Sequence, residues 1–502
     1  MNSPETALDD SPNQPEQAGQ PAQAKDRRFF GHPLGLANLA GIEMWERFSF
    51  YGMQGILVYY LYYAATDGGL GLSKEAATSI VGAYGGLVYL SAVLGAWVAD
   101  RVLGAERTLT VAAVTIMVGH IALAVLPNIA GVGIGLVCIA LGSGSLKTTT
   151  SSVLGDMYAK GDERRDAAFS IYYMGVNLGA LVGPLLTGLI WDMKGFHWGF
   201  GLAAVGMALG LVQYLGLRRS TIGTAGHVVS NPLDRAGRIR YAAIAAVVVV
   251  IIAVLAAAGV IKAERLSDIV VVITLVASVA LFAIMLRSKQ VTSEERGRVV
   301  AFIPMFVASA VFWSLFQQQF TVVALYADER LNRSLFGWTM PPSWATSINP
   351  IFIIIFAGVF AAMWTRLGPR QPSAPLKFAA GTIFMGIAFL LFLPYAGGGA
   401  NSTPLLWLVL ILFFFTMAEL FLSPVGQSLS TKLAPVAFHT QMIALFFLSI
   451  AVGSAGAGSL AGLYDSSNEQ PYFLFLGAAS IVVGVLMALG SKWITKMMAG
   501  VR

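Results

Sequence analysis

Long apolar runs, separated by short polar segments, fill the sequence from about residue 36 almost to its last residue. A run of about 20 apolar residues is long enough to cross a bilayer as a helix. Fourteen such runs are present, and each is predicted to be a membrane-spanning helix. They lie at 36–63, 76–100, 108–126, 131–157, 168–190, 198–217, 241–261, 268–286, 299–326, 345–365, 377–395, 404–431, 440–463 and 471–491.

The pattern divides these runs into two sets of six and one pair. The polar, basic segment 218–240 follows the sixth run, and the pair at 241–261 and 268–286 is apolar on every face. We therefore predict that this pair is peripheral and faces lipid. The predicted organisation is an all-α membrane protein with one six-helix bundle at 29–217, a cytoplasmic linker with two extra helices at 218–298, and a second bundle at 299–502.

Composition supports a membrane protein. The chain is 56% hydrophobic and 12% charged, whereas soluble domains carry about 25% charged residues. Residues 1–28 are polar and rich in Pro, Gln and Ala, without an apolar core, so we expect a disordered cytoplasmic tail rather than a secretory signal. Cys138 is the single cysteine, which excludes an intrachain disulfide.

The distribution of basic residues predicts the orientation. Most of the 32 Lys and Arg fall in segments on the same side as the N-terminus, and an excess of Lys and Arg marks the cytoplasmic side. We expect both termini to be cytoplasmic, in a multi-pass protein that suits a bacterial inner membrane. The net charge of +6 therefore indicates membrane topology and not a nucleic-acid partner.

The first apolar run contains three ionisable residues, in the stretch GIEMWERFSFYGMQGIL at 41–57. At 100° per residue, an arc of about 140° holds the following six residues: Glu43, Glu46, Arg47, Phe50, Tyr51 and Gln54. A charge at bilayer depth costs at least ~2.5 kcal/mol, so this face is predicted to point inward. Glu43 and Arg47, at i and i+4, form a plausible structural pair. That pairing leaves Glu46 without a partner on its helix, and such a carboxylate can take up a proton.

Lys147 is a lone cation in the fourth run, and Gly142 and Gly144 are expected to let it approach the first helix. A buried ammonium needs an anion, and Glu46 is the candidate. The pair is either a permanent bridge or a switch in which protonation of Glu46 frees Lys147 for a substrate carboxylate. Arg47 is a second candidate partner for that carboxylate, because a guanidinium binds it bidentately.

Glu419 is the acidic residue within the predicted spans of the second bundle. It precedes Ser423 and Pro424, where we expect a broken helix that opens backbone groups toward a cavity. A carboxylate opposite Arg47 and Lys147 makes a dipolar site, positive on one half and negative on the other. Such a site suits a zwitterion.

Several motifs carry a resemblance to known families. GAWVADRVLGAER (95–107) resembles the cytoplasmic loop of the major facilitator superfamily, in which a carboxylate caps a helix and arginines hold the inner gate; Asp100 and Arg101 match. GIEMWERFSFYG resembles the first-helix signature of the proton-dependent oligopeptide transporter (POT) family. The resemblance continues through LGSGSLKTTTSSVLGDMY (141–158), FSIYYMGVNLGALVGP (169–184), FWSLFQQQ (312–319), SINPIF (347–352) and AELFLSPVGQSLSTKLAP (418–435).

The resemblance implies the major facilitator fold and a proton-driven symporter that imports di- and tripeptides by alternating access. It implies that the ammonium end and backbone amide of the peptide are held by Glu419, Asn177 and Asn349. It also implies side-chain pockets lined by Tyr51, Tyr89 and Trp313. The alternatives are that the asparagines form inter-helix hydrogen bonds and that the aromatic residues only pack.

One departure of the chain from the family pattern concerns a pair of positions. Gln54 and Gln317 stand where the family usually has an arginine and a glutamate that bridge the outer gate. Because both charges are absent together, neither is orphaned. We expect a Gln54–Gln317 hydrogen bond, or none, at this gate, and no protonation step there.

Other functions fit the sequence less well than peptide import. Within the family, nitrate or another small anion is the alternative cargo, although it would leave Glu419, Asn177 and Asn349 without a role. No HExxH, no nucleophile with a paired histidine and no phosphate-binding loop points to an enzyme, and a sensor would need a signalling domain. We expect no cofactor and no metal, a proton gradient as the energy source, membrane lipids as surroundings, and a monomer.

Overall fold

A computed structural model describes residues 28–159, 162 and 164–501. All but the last residue of the predicted disordered tail, 1–28, lies outside the described residues. Fifteen α-helices make up most of the described chain: α1 Leu34–Tyr62, α2 Lys74–Val98, α3 Ala105–Val125, α4 Ile129–Asp156, α5 Arg164–Lys194, α6 Phe196–Thr221, α7 Arg235–Ala257, α8 Leu266–Arg287, α9 Ser293–Phe316, α10 Val322–Glu329, α11 Ile348–Leu367, α12 Ala374–Leu390, α13 Leu405–Lys432, α14 His439–Ala461 and α15 Gln470–Met497.

The fifteen helices, with α9 and α10 counted as one segment, correspond to the fourteen predicted spans. In the described part of the chain, thirteen helical segments are long and apolar enough to cross a membrane. The fourteenth is α1, whose 29 residues would span about 44 Å at 1.5 Å per residue. It differs from the other thirteen in carrying Glu43, Glu46 and Arg47. The predicted all-α membrane architecture is confirmed.

The helices run alternately in opposite directions, which gives the molecule two faces. We call the face at which α1 begins the N face and the other the opposite face. In the first half α1 packs on α5 and α6, and α3 packs on α4; in the second half α12 packs on α15 and α13. The halves meet closely where α2 crosses α14, since a Cβ on Gly82 would lie 2.5 Å from the Gly458 Cα.

The two extra helices, α7 and α8, differ in how closely they pack against the bundles. Within α7, which is described throughout, Gly237 is the only buried residue, so this helix is peripheral as predicted. The other helix, α8, is partly packed against α2, α14 and α9. Its Ser267 hydroxyl donates to the Ser79 carbonyl at 2.7 Å. Peripheral placement is therefore correct for α7 and only partly correct for α8, because small hydroxyl residues on one face of α8 let it approach α2.

The seventh span of the two bundles, counted without α7 and α8 and formed by α9 and α10, is broken. The tenth by the same count, α13, is not. A 3₁₀ turn at Gln317–Phe320 separates α9 from α10, and Thr321 has φ −124° and ψ −100°. The Gln318 side-chain amide donates to the Ala457 carbonyl at 3.2 Å, which ties the break to α14. The predicted break at Ser423 and Pro424 is wrong, because α13 continues through Pro424. A proline removes only one hydrogen bond, which a packed helix can tolerate.

Short strands complete the fold on the opposite face. After α10 the chain forms β1 Leu331–Asn332, β2 Ser334–Leu335 and β3 Trp338–Thr339, and β4 Thr403–Pro404 precedes α13. β1 pairs with β4 in parallel, and β2 pairs with β3 antiparallel. The pairing of β1 with β4 fixes the end of the seventh span to the start of α13.

Candidate functional site

The charged face of α1 points into the protein, as its helical periodicity predicts. Only 1% of Glu43, 0% of Glu46 and 4% of Arg47 is exposed. The helix reaches this position by close contact with α5, where a Cβ on Gly179 would lie 2.2 Å from the Met44 carbonyl oxygen. Glycine at this point lets the two backbones touch, which places the ionisable residues of α1 between helices rather than in lipid.

One guanidinium serves both carboxylates of α1. The Arg47 Nε lies 3.0 Å from the Glu43 Oε1 and 3.0 Å from the Glu46 Oε2. The Ser143 hydroxyl of α4 donates to the other oxygen of Glu46. The prediction that Glu46 lacks a partner on its own helix is therefore wrong. The i, i+4 rule considers only Glu43, but the long arginine side chain also reaches the residue that precedes it.

Lys147 lies close to this cluster without joining it. Its Nζ is 5.0 Å from the centre of the Tyr89 ring, and within the described ranges no carboxylate oxygen lies within 4 Å of it. Ser143 precedes Lys147 by one helical turn, so Glu46 and Lys147 contact neighbouring turns of the same face of α4. A permanent Glu46–Lys147 bridge is thus absent from this conformation.

The glycines near Lys147 contact helices other than the one expected. A Cβ on Gly144 would lie 2.2 Å from the Val88 carbonyl oxygen of α2, and a Cβ on Gly142 would lie 2.5 Å from the Ile116 Cγ1 of α3. The predicted approach to the first helix is wrong, because both glycines face α2 and α3. Their packing instead brings Lys147 against Tyr89 of α2.

Aromatic residues connect the two halves around Lys147. The Tyr89 ring centre lies 6.3 Å from that of Trp313 on α9. The Tyr51 ring stacks on Phe320 at 6.3 Å, across the break in the seventh span. Tyr51 and Tyr89 are only partly buried, whereas Trp313 is 6% exposed. All three predicted aromatic residues thus lie at the junction of the halves. This position is compatible both with a role in packing alone and with contact to a substrate.

The second half contributes a carboxylate held by an amide. The Asn349 Nδ2, at the start of α11, lies 3.4 Å from the Glu419 Oε2 on α13. Ser423 follows Glu419 by one helical turn and, like it, is partly exposed. Asn349 therefore forms the inter-helix hydrogen bond that is the alternative to a substrate role. Asn177 does not, because its Nδ2 donates within its own helix to the Tyr173 carbonyl at 2.9 Å.

The charges of the two halves face each other. Lys147 acts electrostatically on Glu419 across the junction, without an ion pair between them in the described residues, and Glu419 acts on Tyr51 and Tyr89 in the same way. One side of the site therefore carries Arg47 and Lys147, and the other side carries Glu419. This arrangement has the polarity of a receptor for a molecule with a carboxylate at one end and an ammonium at the other.

Gln54 and Gln317 line one small cavity between α2, α14 and the break in the seventh span. The Gln317 Nε2 donates to the Ser454 hydroxyl at 3.2 Å. The Gln54 Oε1 and the Gln317 Oε1 are buried and have no hydrogen-bond partner in the part of the chain that the structure describes. The sequence predicts either a Gln54–Gln317 hydrogen bond or none, and this conformation has none.

A contact between the halves on the opposite face was missed by the sequence analysis. Both Tyr62 and Tyr63, at the end of α1, donate to the Asp328 carboxylate near the end of α10. Lys74 pairs with Glu329 beside them. We call these five residues the outer latch. Two adjacent tyrosines at the end of one span and two adjacent acids at the end of another are the available signal, but only the fold shows that these ends meet.

The loop motif after α2 is arranged differently from the expectation. Asp100 is exposed, and its backbone carbonyl accepts a hydrogen bond from the Asn231 N–H at 2.9 Å. The Arg101 carbonyl accepts one from the Leu233 N–H at 3.0 Å. Among residues 28–159, 162 and 164–501, no helix is capped by the Asp100 carboxylate. The backbone of this motif therefore anchors the linker that leads to α7.

Metal binding finds no support in the site. Among the described residues, no group of three or more His, Cys, Asp or Glu side chains is arranged to hold a metal ion. The buried polar groups named above are instead carboxylates, amides, hydroxyls and two cations. They can bind a charged organic molecule and exchange protons.

Comparison with known proteins places these features in a family. The sequence profile described as "PTR2: POT family" matches residues 106–481. The di-/tripeptide transporter of Lactococcus lactis subsp. cremoris is 39% identical over 95% of this chain and 99% of its own length. An uncharacterised transporter of Bacillus subtilis, YclF, is 43% identical over 94% and 96%. A crystal structure of a mutant peptide transporter POT in complex with alafosfalin has a TM-score of 0.90 and 46% identity over 95% of this chain and 98% of that one.

Proposed function

The chain belongs to the POT family of membrane transporters, and we propose that it is a proton-coupled symporter that imports di- and tripeptides. The fold and family predicted from the sequence are confirmed by the comparisons, and the chain is a transporter rather than an enzyme. The observation that carries the proposal is the opposition of Arg47 and Lys147 on one half to Glu419 on the other. A small peptide is a zwitterion that fits this field in one orientation.

In the proposed complex, the carboxylate end of the peptide binds Lys147 and Arg47. The unpaired Arg47 Nη2, which is buried without a hydrogen-bond partner in the described structure, supports this assignment. The ammonium end binds Glu419 and displaces the weak 3.4 Å contact from Asn349. Asn177 turns from its own helix to the peptide amide, and Ser423 lies within reach of the amino end.

The aromatic residues Tyr51, Tyr89 and Trp313 line the pockets for the peptide side chains. The partial exposure of Tyr51 and Tyr89 at the junction supports this role, since a residue that serves only as core is normally enclosed. Tyr89 has a second role, because its ring face holds the Lys147 ammonium in place. Aromatic faces attract cations by about 0.5–2 kcal/mol.

Coupling to protons is proposed to depend on Glu46. When Glu46 is ionised, Lys147 can leave Tyr89 and join it, one helical turn from Ser143; when Glu46 is protonated, Lys147 is free for the peptide carboxylate. The described conformation, with Lys147 on Tyr89, represents the released state of this exchange. Arg47 contacts both Glu43 and Glu46. Protonation of one carboxylate therefore changes the electrostatic environment of the other.

Transport is proposed to proceed by alternating access between the two bundles. In the described conformation the outer latch joins the halves on the opposite face, which supports a cavity that opens on the N face. We place the N face in the cytoplasm of a bacterial inner membrane, with Asp100 and Arg101 beside the inner gate and with the protein as a monomer. A membrane potential supplies roughly 2.3 kcal/mol per charge per 100 mV.

The direct test is uptake of labelled dialanine into liposomes that contain the purified protein. An imposed inward proton gradient should accelerate uptake of dialanine. The Lys147→Gln change should reduce the rate of this uptake at least about tenfold, the equivalent of 1.4 kcal/mol. Lys262→Gln, an exposed loop residue, is the matched control. Uptake of nitrate in place of dialanine would support the anion alternative and refute peptide import.

A further inference from the structure

The connection between α10 and α11 forms a short hairpin on the opposite face, residues 334–339, which we call the outer hairpin. In it β2 pairs antiparallel with β3, and Leu335 lies opposite Trp338. Phe336 and Gly337 form the two-residue turn between the strands, with φ of 50° and 85°. A turn with φ > 0 at both central residues usually holds Asn-Gly, because a bulky L residue is strained in that conformation. This chain places a phenylalanine there.

The tip of the outer hairpin is aromatic and uncovered. Phe336 is fully exposed, and 41% of Trp338 is exposed. An aromatic ring in water forgoes the free energy that burial would give, and the backbone strain at Phe336 adds a second cost. Within the part of the chain that the structure describes, nothing covers the Phe336 ring. The two costs are therefore not offset inside the protein, which points to a partner outside it.

The outer hairpin belongs to a long stretch without charge. Residues 334–365 contain no Asp, Glu, Lys, Arg or His. The preceding cation, Arg333, is held at the base of the hairpin, where its Nη2 lies 3.6 Å from the Asp328 Oδ1 and its Nη1 donates to the Met340 carbonyl at 3.0 Å. A segment long and apolar enough to cross a membrane begins at Pro342. The outer hairpin is therefore an uncharged extension of a membrane span.

Packing against α5 sets the depth of the outer hairpin. The Trp344 Nε1 donates to the Leu185 carbonyl of α5 at 2.9 Å, and the Trp338 ring centre lies 5.1 Å from that of Trp344. Beyond Leu185, the first charged residue of α5 toward the opposite face is Asp192. It follows by seven residues, or about 10 Å of helix. The outer hairpin is thus held close to the level at which the apolar part of α5 ends.

The helix that follows the outer hairpin is turned outward from the bundle. Within α11, which is described throughout, only Asn349, Pro350 and Ile353 are buried. An exposed apolar face beside them consists of Ile351, Ile354 and Ile355. A span with such a face borders lipid, and the head groups lie where the span ends. Tryptophan is enriched at that level, because its ring is apolar and its N–H is polar. The outer hairpin therefore has the position and the composition of a membrane-interface segment.

We propose that the outer hairpin inserts its tip into the lipid leaflet at the opposite face, with Phe336 among the acyl chains just below the head groups and Trp338 at head-group level. The lipid replaces water around the Phe336 ring and so compensates the strained turn. An uncharged hairpin has no group that would select a head-group charge, so zwitterionic phosphatidylcholine suffices. This contact is independent of the peptide site, and its failure would leave the proposed transport function unchanged.

The test is fluorescence quenching of the full-length protein in phosphatidylcholine nanodiscs. In a Cys138→Ser background, Phe336→Cys and Thr66→Cys each carry a bimane label; Thr66 is exposed in the loop between α1 and α2 on the same face. Acyl-chain-brominated lipid should quench the label at position 336 at least about twofold more than the label at 66, and iodide should quench it at least about threefold less. Equal iodide quenching at both positions would overturn the proposal, and so would protection of position 336 from both quenchers, which indicates cover by another protein copy.

A second measurement needs no fluorophore. Wild-type protein is irradiated in nanodiscs with a phosphatidylcholine that carries a diazirine on its acyl chain near the head group, and mass spectrometry locates the attached lipid. Attachment within residues 334–340 is expected. Phe336→Asn should lower it several-fold, because asparagine suits the turn but not the lipid, whereas Thr66→Asn should leave it unchanged. Attachment confined to the helices, with none at 334–340, would contradict the proposal.

Discussion

The Nζ of Lys147 lies 5.0 Å from the centre of the Tyr89 ring, and the carboxylate of Glu46 is held elsewhere, by Arg47 and Ser143. A buried ammonium on an aromatic face is stabilised more weakly than one paired with a carboxylate. The Lys147 ammonium is therefore expected to leave the ring when an anion becomes available. This relationship connects the acids of the first bundle to the proposed substrate site.

Replacement of Tyr89 tests the role of its ring face. Tyr89→Leu should raise the KM for dialanine by about two- to fivefold, because loss of an attraction of about 0.5–1 kcal/mol leaves the ammonium less well placed. Tyr89→Phe keeps the ring and should stay within about twofold of wild type. Initial rates of counterflow measure both. Equal effects of Leu and Phe would show that the hydroxyl, and not the ring, matters.

Glu419 should determine recognition of the amino end. Competition of dialanine uptake by N-acetyl-dialanine, which lacks an ammonium, should be weak in wild type. Glu419→Gln should raise the KM for dialanine about tenfold to a hundredfold, since a hydrogen bond to a charged group contributes about 1.5–3 kcal/mol.

The same variant should lose discrimination between the free and the acetylated peptide. Asn349→Ala is the companion change, because it removes the neighbour of Glu419 but retains the charge, and it should preserve discrimination. Unchanged preference for free dialanine in Glu419→Gln would refute the assignment of the amino-end site.

The glutamine pair should be dispensable for coupling. Gln317→Leu removes one hydrogen bond, to Ser454, and should cost about 1 kcal/mol of stability while proton-driven uptake stays within about twofold of wild type. Gln317→Glu places an unpaired charge in the small cavity and should lower the yield of folded protein. Adding Gln54→Arg should restore that yield, and a double variant no better folded than Gln317→Glu alone would contradict this account.

Asp328 should hold the outer latch closed. Asp328→Asn removes the charge that both Tyr62 and Tyr63 contact, and losing about 1.4 kcal/mol shifts a two-state equilibrium tenfold. In a Cys138→Ser background, Gln54→Cys should then react several-fold faster with an impermeant maleimide added at the opposite face.

Asp268→Asn, an exposed acid on α8, is the control for a nonspecific effect of charge and should leave labelling unchanged. If Asp328→Asn also left labelling unchanged, the latch would have no part in closing the opposite face.

Much of the fold follows from the sequence because lipid imposes a simple rule. Each of the fourteen predicted spans corresponds to a helical segment, since an apolar run in a bilayer has to satisfy its own backbone hydrogen bonds. The inward face of α1 is predicted because a charged side chain that faces lipid is costly. The errors arise where several helices compete for contact: the broken span is the one formed by α9 and α10 and not α13, and Gly144 faces α2 and not α1.

The site is predicted less completely than the fold. Helical periodicity brings Glu43, Glu46 and Arg47 to one face, but it cannot show that a single Nε contacts both acids, because this depends on the arginine rotamer. Ser143 and the outer latch depend on contacts between distant segments. Charge arguments from the sequence therefore identify which residues belong to the site. Packing between the helices determines which of these residues contact each other.

The central claim is that protonation of Glu46 couples the proton gradient to peptide uptake. The most direct measurement compares proton-driven accumulation of labelled dialanine with counterflow in liposomes for Glu46→Gln, with Glu264→Gln, an exposed loop acid, as control. We predict that a proton gradient no longer drives accumulation in Glu46→Gln, while counterflow retains at least about a third of its wild-type rate. Accumulation of dialanine by Glu46→Gln to the wild-type level would contradict the claim.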